Sequence, residues 1–154
     1  MIKVLFLCHG NICRSPMAEM IFRELVAKAG LDARFTAVSA AVSTEEAGND
    51  IYPPAKRILR QKGIPFTPHR AHLVTRAELE EATLVILMDE QNRRWLQRLF
   101  GHAFDDKTHL LMEYAGKPRS VADPWYTDDF EQAYDDIDAG CRGLLRALTQ
   151  RKPA

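Results

Sequence analysis

At 154 residues, 46% hydrophobic and 27% charged, the chain has room for one domain with a sizeable core and is too apolar for a disordered or fibrous class. Its 21 basic and 21 acidic side chains cancel, which argues against a broad pull toward nucleic acid or a membrane surface. Three cysteines without a CxxC pair or zinc spacing, no leader pattern and no apolar run of transmembrane length lead us to expect a cytoplasmic protein.

Lys3–Leu7 is a short apolar run rich in strand formers, as in a central parallel strand covered on both faces. Cys8 stands at its carboxyl end. Five residues later comes Arg14, then Ser15 and Pro16, residue types preferred at the cap and first position of a helix. That helix carries Ala18, Ile21, Phe22, Leu25 and Ala29 at helical spacing, and Gly30 ends it. Phe35–Ala40 reads as a second strand and leads into a long polar loop up to Pro54. Helices are expected over Pro54–Lys62 and Arg76–Glu81, separated by the irregular Ile64–Leu73. Thr83–Met88 is a second buried-strand pattern with Asp89 at its end, Glu90–Phe100 is helical, and Thr108–Leu111 supplies a weak fourth strand. Gly116–Asp128 is loop-like, and Asp129–Leu148 is a final helix with a helical apolar period despite Gly140 and Gly143. Strands alternating with helices imply right-handed crossovers and an open parallel sheet whose ligand sites lie outside the strand carboxyl ends.

The loop between Cys8 and Arg14 has the ingredients of an anion cup. Gly10 can take backbone angles closed to other residues, and Asn11 tolerates the left-handed region, so the backbone N–H groups can curl toward one point. The helix start adds positive potential and Arg14 a planar fork for two phosphate oxygens. No Walker pattern is present; a cysteine occupies the base instead. The groups that hold a phosphate also stabilise a thiolate, so Cys8 is expected to be a nucleophile beneath a bound phosphate monoester. Ser15 can cap the helix, hydrogen-bond the thiolate, or both. Expulsion of an alkoxide or phenoxide needs an acid, and Asp123 in Ala-Asp-Pro-Trp-Tyr is the candidate, although Asp-Pro is also a common turn starter. Trp125 and Tyr126 follow a proline in a polar loop, a placement that suits walls for a flat ring. His9, His72, His102 and His109 show no ligand spacing, so neither a metal nor a cofactor is expected.

CHGNICRSPMAE closely resembles the active-site loop of the low-molecular-weight protein tyrosine phosphatases, and Asp-Pro-Trp-Tyr resembles their acid-bearing motif. The resemblance covers nearly the whole chain, residues 1–154 as a single domain. It implies a flavodoxin-like (phosphotyrosine phosphatase I-like) α/β fold: an open four-stranded parallel sheet with helices on both faces. It further implies Cys8, Arg14 and Asp123 as catalytic groups. His9, Gly10, Asn11, Ile12, Cys13 and Ser15 would line the phosphate pocket, with Trp125 and Tyr126 at its rim. Asp123 would protonate the leaving oxygen and then activate water. Cys13, inside the loop, would pair reversibly with Cys8 on oxidation. Asn11, His69 and the Asp89–Asn92 pair would be structural, and Cys141 core. Phosphotyrosine proteins are the expected partners, with no nucleic acid or membrane, and a monomer or weak dimer.

The sequence departs from the family at Glu45, where an aromatic is common, and at Tyr52-Pro53-Pro54, where an Asp and an Arg are common. An acidic rim leaves the peptide preference open. Two other oxyanion enzymes share the fold. A thioredoxin-linked arsenate reductase needs cysteines near residues 80 to 95, where this chain has none. A phosphoarginine phosphatase usually carries Thr where Ile12 stands.

Overall fold

A computed structural model describes residues 1–117 and 119–150. Four strands, β1 (Ile2–Cys8), β2 (Phe35–Ala41), β3 (Leu84–Leu87) and β4 (Thr108–Leu110), form one parallel sheet in the order β2-β1-β3-β4. The chain leaves β1 toward one edge and later returns to the other side of it, so the carboxyl end of β1 lies at the point where strand order reverses. Cys8 is the last residue of β1.

Alternation along β1 divides the core. Val4, Phe6 and Cys8 face one layer, built on α1 (Arg14–Lys28), α2 (Pro53–Gln61), α5 (Leu111–Tyr114) and α7 (Phe130–Thr149). Leu5 and Leu7 face the other, with Leu79 of α3 (Arg76–Glu81) and Leu96 of α4 (Glu90–Phe100). Both sheet faces are thus covered, which is why the strands read as unbroken apolar runs rather than alternating ones. The parallel, two-sided α/β expectation holds.

Two short helices escaped the sequence pattern: α5, and α6 (Pro124–Thr127) inside the expected Gly116–Asp128 loop. Each is one turn long, too short to show a period. The glycines of α7 have a packing cause. A Cβ on Gly143 would lie 1.9 Å from the Tyr114 carbonyl oxygen, and one on Gly140 would lie 2.5 Å from Leu111 Cγ. Glycine at both lets α7 close onto α5.

Candidate active site

The cup forms, with Asn11 in the left-handed region that its residue type tolerates. Gly10 has no left-handed φ; Asn11 does, at 61°. Gly10 instead gives clearance, since a Cβ there would press to 3.3 Å from Glu46 Cγ. Asn11 is held in that conformation from outside the loop. His69 Nε2 pairs with its carbonyl oxygen at 2.7 Å, and its wholly buried side-chain amide donates to Ser15 Oγ (2.8 Å) and Ser39 Oγ (3.1 Å). Ser15 is not the helix cap either. Helix α1 starts at Arg14, Cys13 is the N-cap, and no side chain caps it. That leaves first-turn N–H groups free to point into the cup. The Cys8 Sγ receives the Asn11 N–H at 3.3 Å and the Ser15 N–H at 3.4 Å, with Ser15 Oγ at 3.0 Å.

Arg14 reaches this cup from a nearly sealed position, 2% exposed. Nη1 donates to Asp89 Oδ2 at 2.7 Å and to the Val121 carbonyl at 2.9 Å, while Nη2 faces Asp123 Oδ2 at 3.5 Å. Burial works against its charge, but negative groups at Cys8, Asp123 and Asp89 outweigh that and hold the guanidinium pKa above its ordinary value. Asp123 caps α6, accepting the Trp125 N–H on Oδ1 at 3.0 Å. Its turn-forming and site-facing roles coexist.

Asp89 is the partner that sequence reasoning treated only as scaffold. It does cap α4 in a reciprocal pair with Asn92, but its second oxygen holds the guanidinium. An acidic residue closing a buried strand, at the same rim as Cys8, was the available signal.

Cys8, residues 9–14, Glu45, Glu46, Asp123, Trp125 and Tyr126 enclose a cavity of about 150 Å³. All the singled-out residues except Ser15 line it, and Ser15 sits directly behind the sulfur. Trp125 and Tyr126 are exposed, at 51% and 81%. Tyr52 continues the aromatic wall, its ring centroid 4.9 Å from that of Trp125 and 6.1 Å from that of Phe130. His9 Nε2 meets Glu45 Oε2 at 3.0 Å while its ring packs edge-on to Trp95.

Cys13 and Cys141 are buried free thiols. Burial pushes the Cys13 pKa far up, with further upward pressure from negative charge at Cys8 and Asp123; burial does the same to Cys141 in the core. Among the described residues, no group of three or more His, Cys, Asp or Glu side chains gathers as a metal site would require.

Residues 3–154 match the family model described as "Low molecular weight phosphotyrosine protein phosphatase". The chain is 39% identical to the Low molecular weight protein-tyrosine-phosphatase YfkJ of Bacillus subtilis, covering 99% of both chains, and superposes on the YfkJ crystal structure with a TM-score of 0.94. It is 38% identical to a Schizosaccharomyces pombe low molecular weight phosphotyrosine protein phosphatase, over 96% of this chain and 97% of the relative. A cysteine-to-serine mutant of the YwlE arginine phosphatase, in which the active-site serine is phosphorylated, is also similar: 30% identity, 98% of each chain and a TM-score of 0.85.

Proposed function

The chain belongs to the low molecular weight phosphotyrosine protein phosphatase family, and from that premise we propose that it hydrolyses phosphotyrosine and small aryl phosphates through a cysteinyl-phosphate. The observation that carries this reading is the Cys8 sulfur, met by two backbone N–H groups and the Ser15 hydroxyl, in a cavity that Arg14 and Asp123 also line.

The phosphate dianion enters the cup with its oxygens toward the loop amides and the Arg14 fork, which are fixed before it arrives and therefore need no reorganisation as charge shifts. Cys8, carried as a thiolate, attacks phosphorus in line with the leaving oxygen. The S–P bond forms, the P–O bond breaks, and Asp123 gives its proton to the departing phenol. Asp123, now a carboxylate, takes a proton from water as that water attacks phosphorus; the S–P bond breaks and the thiolate returns. Ser15 Oγ stabilises the sulfur each time it carries charge. In a cysteine-to-serine mutant of YwlE the substituted active-site serine holds phosphate, which supports a phosphorylated side chain at this place in the fold.

Ile12 and the Tyr52–Trp125 wall favour a flat aryl ester over phosphoarginine. Phosphotyrosine proteins are then the substrates. We further propose that Cys13 captures an oxidised Cys8. As part of the same proposal the protein's action is placed in the cytoplasm, away from nucleic acid and membranes, in line with a formal net charge of zero. The test is turnover of p-nitrophenyl phosphate in chelator. Wild type should be active and vanadate-sensitive, and Cys8→Ser and Arg14→Ala inactive; undiminished turnover in Cys8→Ser would eliminate the covalent route.

A further inference from the structure

We infer that Arg119 and Asp136 form a latch that positions Asp123 for proton transfer, making Arg119 a positioning residue for the reaction proposed above, on which this inference rests. Asp136 lies in α7 and is wholly buried. Arg119 engages it with both arms of its fork, Nη1 to Oδ2 at 3.0 Å and Nη2 to Oδ1 at 2.8 Å. Gln132 Nε2 adds a bond to Oδ1 at 2.9 Å, and Lys117 Nζ stands 4.0 Å away. A carboxylate without exposure is costly unless paired, and a bidentate fork sets direction as well as distance.

The place of this pair in the chain gives it consequence. Arg119 is on the arm that enters the Asp123 loop, and Asp136 is on the helix into which that loop runs. The ion pair therefore ties the neck of residues 119–136, a segment holding Asp123, Trp125 and Tyr126. Between neck and acid, Val121 donates its N–H to the Met88 carbonyl at 3.0 Å and accepts from Arg14. Val121 pins one point of the strand of backbone; the latch sets the direction from which the chain crosses it. Among the described residues, the hydrogen-bond and ion-pair partners of the Asp123 carboxylate are the Trp125 N–H, from its own loop, and Arg14 Nη2 at 3.5 Å, so its location follows the backbone path.

A misplaced acid penalises poor leaving groups most, because nitrophenolate departs without a proton and phenolate does not. We expect Arg119→Gln to lower kcat/KM for phenyl phosphate about tenfold or more while p-nitrophenyl phosphate loses less than about threefold. Asp136→Asn should shift the same ratio in the same direction, and Arg119→Lys, which keeps the charge without the fork, should fall between. In an Asp123→Asn background, Arg119→Gln should leave the ratio unchanged, since the two changes act through one group. Equal losses on both esters, or a ratio shift that persists without Asp123, would overturn the latch. Wild-type turnover of both esters, lost in Cys8→Ser, separates failure of the latch from failure of the catalytic reading.

Discussion

Arg14 Nη1 and Asp89 Oδ2 meet at 2.7 Å, joining the loop after β1 to the turn after β3. The guanidinium is nearly sealed and the carboxylate only partly exposed, so the pair fixes the direction of the Arg14 fork, the group proposed to hold phosphate. Asp89→Asn keeps a good N-cap for α4 and removes the charge. It should cost roughly 1.5–3 kcal/mol in urea unfolding, the range for a hydrogen bond to a charged group. It should also lower kcat/KM for aryl phosphates about tenfold or more through misplacement of the fork. Asp89→Ala should lose about 1 kcal/mol beyond that as the cap goes. Unchanged kcat/KM in Asp89→Asn would mean that Arg14 holds its position unaided.

Gly143→Ala should destabilise although alanine is the better helix former. The propensity gain is about 1 kcal/mol, but the added Cβ would overlap the Tyr114 carbonyl, backbone that cannot turn aside. A net loss of about 1–3 kcal/mol or more is expected. Gly140→Ala meets the Leu111 side chain instead and should lose less. Thermal melting should give wild type highest, then Gly140→Ala, then Gly143→Ala.

Glu45 and Glu46 line the cavity mouth, so the rim should repel acidic peptides and attract basic ones. Phosphotyrosine peptides flanked by Lys or Arg should be hydrolysed better than Glu-flanked ones. Glu45→Gln/Glu46→Gln should shrink that preference, on the order of three- to tenfold given the exposure of such charges. Salt should shrink it in wild type as well. A preference untouched by both changes would place the specificity elsewhere.

The raised Cys13 pKa bears on oxidation. On the proposed capture, peroxide would convert Cys8 to a sulfenic acid, and attack by Cys13 sulfur would then form the S–S bond, break S–O and release water. Because Cys13 holds its proton so firmly, capture should quicken as pH rises from neutral into the alkaline range. Peptide mass mapping of peroxide-treated protein should find the Cys8 to Cys13 link, and Cys13→Ser should become irreversibly inactivated. Sulfonic acid on Cys8 in wild type, without the link, would count against the pairing.

Cys13 and Cys141 also set an alkaline limit. Both bind their protons more tightly folded than unfolded, so they contribute no slope below the unfolded thiol value of about 8.5. Above it, stability should fall by about 1.4 kcal/mol per pH unit for each thiol. Urea midpoints between pH 8 and 10 should show this decline, with a shallower slope in Cys141→Ala.

What was legible early shares one property, closeness in sequence. Cys8, Asn11 and Arg14 occupy seven consecutive residues between a strand and a helix, and Asp123 is marked by Pro124 and two aromatics. The errors in this stretch were also local. Gly10 and Asn11 both looked able to take left-handed angles and only Asn11 does, while Ser15 looked like the cap because propensity ranks it so. The outcome was set by Ser39 and His69, which hold Asn11 from other segments.

The order of residues along the chain determined the layered α/β plan and the Cys8–Arg14 loop, since hydrophobic period and a seven-residue span are encoded within one element each. Tertiary structure alone decided which carboxylate holds Arg14, that Tyr52 joins Trp125 in one wall, and that Arg119 closes on Asp136. Those partners are brought together by sheet order and helix packing, and pairing energies that act over a few ångströms leave no periodic trace along the sequence.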